Sequence, residues 1–330
     1  TIIVIIALAF LMMRATPGGP FAAERQLPPE IERRLNERFD LDKPPLEQLW
    51  LYLGRLSPIS VGVSPEEVRD CDTRAGVPAL CKTLNFIELQ MPDFGPSMKY
   101  KDKTVIEIIA EGLPTSLVVG LSSIVLAIGI GVALGAMAAL QQNKPQDYIV
   151  MGLAVAGVCV PPLVMGPVLS WLFGVNLPGL GLPSAGLYRD AFAFNYLVLP
   201  VITLALPQIA IISRLTRAAM IEALRSNAIR TARAKGLPEH LVVWRHALPV
   251  AVLPVVSYLG PAIAGVLTGS FVIETVFQLP GIGRAFVMGA SNRDYTLVMG
   301  VVILYASLII LLNLLADILY GLLDPRARQS

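Results

Sequence analysis

From Leu113 onward, long uncharged runs alternate with short polar breaks, and the runs have the length of membrane crossings rather than of buried helices in a water-soluble protein. The pattern predicts spans at 113–140, 148–173, 191–212, 249–273 and 295–316. Thr1 to Met13 is also continuously apolar, but at about 1.5 Å per residue it falls short of a hydrocarbon core of about 30 Å. It reads as the end of a truncated transmembrane helix, because no small-residue cleavage site follows it; the alternative is a signal-peptide core. Counting it, about six spans are expected. Within them, Gly131 and Gly135 form a GxxxG pair suited to close helix packing. Pro161-Pro162 predicts a kink, since prolines free backbone carbonyls that protein or a wet path must then satisfy. Pro200, Pro207, Pro254 and Pro261 fall inside later spans, and Cys159 reads as a small packing residue.

The segment 14–112 differs in kind, being rich in charge and proline. Ile31, Leu35 and Phe39 would share one helical face over 29–39, and Leu46 to Leu56 reads as a second helix. Residues 58–92 read as a loop insertion containing Cys71 and Cys81. In an oxidising compartment that pair would close a small disulfide loop; otherwise the two are free thiols. Asp93 to Ser97 reads as a turn.

Composition supports the membrane reading: 55% of residues are hydrophobic, 15% charged, and mean hydropathy is +0.65. The net charge of +2 is uninformative, whereas its distribution is not. Arg214, Arg217, Arg225, Arg230, Arg233, Lys235 and Arg245 crowd into and just before the stretch 221–249, opposed only by Glu222 and Glu239. A basic segment between two spans belongs on the cytoplasmic side. The 141–147 turn and the C-terminal tail, with Arg326 and Arg328, then share that side, and 14–112 lies outside. Gly236 is placed to end one short helix and Pro238 to open another, so 218–249 reads as a knuckle on the inner face.

Catalytic signatures are lacking. The sequence has no GxxxxGK[ST] phosphate loop, no GxSxG, no HExxH and no metal-ligand spacing among 3 Cys and 2 His. The spans hold no charged residue away from their ends, which argues against a proton-coupled carrier. Energy would then come from a partner. A self-sufficient channel or secondary carrier, and a membrane-anchored receptor, are the rival classes.

The knuckle carries a resemblance. Arg230-Thr231-Ala232, then Gly236, then His246-x-Leu248-Pro249 has the spacing of the EAA loop of bacterial ABC importer permeases. Arg230 and Thr231 replace its Glu and first Ala, and His246 replaces its Ile. Ala15 to Pro20, Phe94 to Ser97, Asn227 to Pro238, Gly269 to Thr275, Leu279 to Gly283 and Asn292 to Tyr295 agree. Together they resemble the B-type permease subunit of oligopeptide importers over nearly the whole chain, departing at 57–92.

The resemblance implies an all-α polytopic fold of the type I ABC importer permease kind, with an extracytoplasmic domain (14–112) between the first and second spans and a permease core over 113–330. It implies a multi-pass protein of the bacterial cytoplasmic (inner) membrane with both termini cytoplasmic. It implies four kinds of partner: membrane lipid, a homologous C-type permease, two ABC ATPase subunits and an extracytoplasmic peptide-binding protein. Nucleic acid, a metal and a cofactor bound by this chain are not implied; ATP and Mg would sit on the ATPases. Arg230, Thr231, Ala232, Arg233, Ala234, Lys235, Gly236, Leu237, Pro238, His246, Leu248 and Pro249 would form the ATPase-coupling loop, the alternative being a plain basic loop. Glu274, Pro280, Gly281 and Gly283, in a turn-rich surface segment, are expected beside an outer gate; Glu274 as a solvated helix-end charge is the alternative. Arg293 and Asp294 read as a surface ion pair or a binding-protein contact, and Met165 and Asn313 as packing residues rather than pathway lining. Dipeptides, glutathione and nickel chelates remain alternative cargoes.

Overall fold

The computed structural model describes residues 2–15, 30, 33–34, 36, 39, 41–57, 59–61, 83–84, 87–89, 93–100, 103–183 and 194–323. Most of the amphipathic run at 29–39, and both Cys71 and Cys81, lie outside the described residues. The chain divides into two compact units, one of residues 1–110 with 288–304 and one of residues 111–287 with 305–330.

In the first unit, α1 (Ile2–Ala15) packs against α2 (Pro45–Leu56), which opens on a proline at its first turn. Gln48 is buried between them: its Oε1 accepts from the Arg14 guanidinium, and its amide donates to the Lys43 carbonyl at 2.6 Å. After α2 the segment expected to be a loop forms a small antiparallel sheet of β1 (Ile59–Val61), β2 (Thr83–Leu84) and β3 (Ile87–Leu89) in the order β1-β3-β2. Ile59 pairs with Leu89 and Thr83 with Glu88. Alternation over stretches this short leaves no readable period, which is why they resemble a loop in sequence. The turn at 93–97 forms as expected, with Gly95 at φ 80° and its N–H donating to Asp93 Oδ1 at 2.8 Å.

The long helix α3 (Val105–Leu140) starts earlier than the apolar run, because Thr104 and Glu107 make a capping box. Glu107 N donates to Thr104 Oγ1 at 3.3 Å and Thr104 N to a Glu107 carboxylate oxygen at 3.0 Å. In the second unit come α4 (Pro145–Cys159) and α5 (Pro162–Leu169, continued by a wider-wound turn Ser170–Val175). They meet at 104°, at the expected prolines: Val160, placed before Pro161, is held extended at ψ 114°. Then follow α6 (Phe194–Leu224), α7 (Asn227–Ala234), α8 (residues 239–251), α9 (Leu253–Val276), α10 (Ile282–Ser291) and α11 (Tyr295–Leu323), the last two running into or out of the first unit.

Four helices are long and apolar enough to cross a membrane, namely Val105–Leu140, Asn195–Leu224, Leu253–Val276 and Tyr295–Ile318, and the bent α4–α5 pair makes up to five. The apolar α1 is shorter. The core of the second unit joins α3, α6 and α9 through Val119, Ile124, Leu199, Leu204, Ala262, Val266 and Ile273. The GxxxG pair does what its spacing allows: a Cβ on Gly131 would lie 2.8 Å from Ile212, and one on Gly135 2.5 Å from the Ser213 carbonyl oxygen. Hydroxyls buried in these helices bond their own backbone, as with Ser123 to Val119 O and Thr203 to Leu199 O, both 2.7 Å. Large apolar side chains such as Leu121, Val125, Leu153 and Leu163 remain exposed, as a lipid-facing surface requires.

Candidate functional site: a basic knuckle and a capped buried turn

The knuckle is built at the end of α6, which continues through Arg214 and Arg217 to Leu224 rather than stopping with the apolar run at Ile212. After the bend at Arg225 and Ser226, α7 buries Ile229 and Ala232 and exposes Arg230, Thr231, Arg233, Ala234 and Lys235. Gly236 sits at φ 78°, which a side-chain-bearing residue adopts only with strain. The two hydrogen bonds of a Schellman cap close there: Gly236 N to Arg233 O at 2.9 Å and Leu237 N to Ala232 O at 3.3 Å. Leu237 folds back onto a cluster of Ala139, Met220, Ala223, Ile229, Ala232, Val242, Val243, Ala247 and Ala251. The small residues let three helices meet in little space.

Pro238 is the cap residue of α8, whose middle (Val242–Ala247) is wound wider than an α-helix. Pro238, His246 and Pro249 are exposed and Leu248 is half-buried, so the sequence-expected residues gather into one structure with their polar members outward. Arg233 clamps Glu239 across the Gly236 turn, with Nε to Oε2 at 3.1 Å and NH2 to Oε1 at 2.5 Å. Both are exposed, and the guanidinium hydrogen bonds hold the Glu239 carboxyl below the usual carboxylate range. Among the described residues, no group of three or more His, Cys, Asp or Glu is disposed to hold a metal ion.

A buried ion pair stands beside the knuckle and was not legible in the sequence. Asp147, in the first turn of α4, is buried and receives both Arg217 Nε at 2.5 Å and NH2 at 2.6 Å, a two-pronged geometry. Asn143, at φ 64°, adds its N–H at 3.0 Å, and Arg225 reaches Gln142 at 3.2 Å. The polar turn 141–147 is thereby fastened to the last part of α6. Asp147 looks like one more solvated turn residue until α6 is laid against it.

At the other end of α9, the segment 274–283 is a correction to the expected surface turn. Phe277, Leu279, Gly281, Ile282 and Gly283 are buried, and Pro280 is exposed. Glu274 is fully buried and is not a solvated helix-end charge. Its Oε2 accepts from Gly283 N at 2.8 Å and Arg284 N at 3.3 Å, so it caps the start of α10. Ser116 of α3 takes the next N–H, that of Ile282, at 2.9 Å. Gly283 leaves no space for a side chain, since a Cβ there would lie 2.5 Å from Phe271 Cα. Phe271 in turn meets the Tyr305 ring edge-on, 4.5 Å between centroids.

Asp294, in the first unit, corrects a second expectation. It is buried, not a surface ion pair: it caps α11, accepting from Leu297 N at 3.1 Å, and it also receives Ser97 Oγ and Met98 N, the latter at 3.2 Å. The sequence shows the charge but not the Ser97 hydroxyl and 98–99 backbone it serves. Asn313 packs against Gly260, where a Cβ would come within 2.6 Å of its Oδ1, and Met165 is half-buried.

Comparison with known proteins agrees with this architecture. Residues 131–329 match the family described as binding-protein-dependent transport system inner membrane component. The oligopeptide transport system permease protein OppB of Salmonella typhimurium is 43% identical over 328 residues, covering 99% of this chain and 95% of that protein. The dipeptide transport system permease protein DppB of Bacillus subtilis is 36% identical, covering 99% of this chain and 94% of its own. Among solved structures, the MetNI methionine ABC transporter in an inward-facing conformation has a chain with a TM-score of 0.56 at 17% identity, covering 66% of this chain and 97% of that one; this likeness concerns the fold.

Proposed function

The chain belongs to the family of binding-protein-dependent transport system inner membrane components, and on that premise we propose that its cargo is an oligopeptide. It is a multi-pass inner-membrane permease subunit of an ATP-driven importer, and ATP hydrolysis belongs to separate subunits. The observation that carries the cargo is the identity with an oligopeptide permease, which runs through 99% of the chain rather than through the coupling loop alone. Likeness to a dipeptide permease keeps shorter peptides as the second reading.

A homologous C-type permease completes the pathway in this proposal, two ATPases carrying ATP and Mg dock on the knuckles, and a peptide-binding protein delivers cargo. What supports a wet pathway is the exposed stripe of α9: Ser257, Pro261, Gly265 and Thr268 are small or hydroxyl-bearing, unlike the exposed leucines and valines of α3 to α5. What supports the knuckle as the input is its packing. The exposed arm 230–238 shares one apolar cluster with Met220 and Ala223 of α6 and with Ala247 and Ala251 ahead of α9. A push on the arm therefore moves two spans, the kind of two-state element that nucleotide binding can bias.

Transport of a peptide panel of graded length by the reconstituted complex tests the cargo: uptake of dipeptides alone overturns the oligopeptide reading. Orientation is tested in intact cells with single cysteines in a background lacking the native ones. Those at Gln146 and Ser226 should be shielded from an impermeant thiol reagent and one at Glu47 labelled; labelling at 226 overturns the topology.

A further inference from the structure

The side chains most exposed among the large hydrophobics of the described residues are not on a span. They are Leu46, 78% exposed, and Trp50, 77% exposed, one turn apart on α2. At 100° per residue α2 carries three stripes. Gln48, Leu49, Tyr52, Leu53 and Leu56 turn inward, onto Ile6, Phe10 and Met13 of α1 and onto Met299 and Ile303 of α11. Glu47 falls on the opposite side, Arg55 borders the inward stripe next to Gln48, and Leu46 with Trp50 lies between Glu47 and the inward stripe.

The depth of α2 follows from its contacts. It rests against the last turns of the apolar α1, and Arg14, which closes α1, donates to Gln48 in its middle. The middle of α2 is therefore level with the polar end of a membrane helix. The neighbouring outward side chains of α1, Leu8, Leu11 and Met12, are themselves exposed and apolar, so the exposed surface of α2 continues a lipid-facing one. An amphipathic helix at that level, with Leu46 and Trp50 on its free stripe and the charge of Glu47 beyond it, has the chemistry of a segment lying in the membrane boundary.

We propose that α2 lies along the water–lipid boundary at the Arg14 end of α1, with Leu46 and Trp50 set among the acyl chains of phospholipid. The occupant of this stripe is lipid rather than a second protein. The proposal rests on the membrane placement of α1, and the test separates the two.

The permease, assembled with its partner subunits in a cysteine-free background, is reconstituted in vesicles of phosphatidylethanolamine and phosphatidylglycerol. A nitroxide is attached to Trp50→Cys, with Leu46→Cys as the second variant should the first fail to assemble. Collision with oxygen, which concentrates in lipid, is compared with collision with a water-soluble nickel chelate. Oxygen should dominate several-fold at positions 46 and 50, as at the reference Leu8→Cys, and the order should reverse at Glu47→Cys. Low collision with both reagents at 46 and 50 means a protein covers the stripe, and dominance of the nickel chelate means it stands in water; either overturns the proposal. If oxygen dominates at Leu8→Cys in that case, the membrane placement of α1 stands without it.

Discussion

Glu274 Oε2 accepts the backbone N–H of Gly283 at 2.8 Å, joining the end of α9 to the start of α10 inside a fully buried setting. Replacing Glu274 with Ala orphans the Gly283 and Arg284 N–H groups, at a cost of about 1–3 kcal/mol for a buried unsatisfied donor. Glu274→Gln keeps an acceptor oxygen and should lose less. Thermal unfolding of the purified complex should rank native above Gln above Ala; an Ala variant as stable as the native protein removes the cap from the account.

The GxxxG pair makes a contrast within one helix. A Cβ on Gly135 meets the Ser213 carbonyl at 2.5 Å and Thr216 Cβ at 2.7 Å, whereas one on Gly129 meets nothing within 4 Å. Gly135→Ala should force α3 from α6 and cost roughly 1–3 kcal/mol, the range of overpacked cores. Gly129→Ala should leave stability unchanged or raise it slightly. Equal unfolding temperatures for the two variants would show that the close approach carries no weight.

Gly236 separates conformation from bulk. Its φ of 78° penalises a β-branched residue by about 1–2 kcal/mol, and among the described residues none beyond its two chain neighbours lies within 4 Å of a Cβ placed there. Asn tolerates the left-handed region. Gly236→Val should leave the chain inserted and paired with its sister permease but lower ATPase retention, or leave hydrolysis running without transport. If Gly236→Asn keeps retention, the turn's conformation is what matters; if it fails equally, the docked surface comes too close for any side chain. Full transport by the Val variant would mean that energy does not enter here.

The Arg233–Glu239 clamp has a pH signature. Because the folded carboxyl titrates below the free glutamate, the clamp contributes above the free carboxylate range and is lost as pH falls through the lowered folded value. Both groups are exposed, so salt weakens it. NMR titration should give Glu239 a midpoint below that of an unpaired glutamate, and Arg233→Ala should restore it. An unchanged midpoint in that variant would leave the lowering to another cause.

What the sequence made legible was whatever is written locally. Apolar runs marked the spans, Pro161-Pro162 marked the bend, and Gly236 marked a positive φ at the end of a short helix. Charge marked where lipid ends, but not where hydrogen bonding ends, so α6 ran on past Ile212 through two arginines to Leu224. Asp147, Glu274 and Asp294 are visible in the sequence as acids, but the groups that explain each are remote or folded back in space: Arg217, the start of α10, and the Ser97 hydroxyl with the 98–99 backbone. Burial turns such residues from solvated charges into fasteners, and burial is not a property of a residue's neighbours in sequence.

The Asp147–Arg217 bond also sets an order of assembly. The two residues are 70 positions apart, so during synthesis Asp147 reaches the membrane long before its partner exists. Burying it then would leave its charge without the guanidinium that compensates it. The turn 141–147 therefore gains this fastening only once α6 is laid against it. A chain ending before Arg217 lacks the one group that closes this latch.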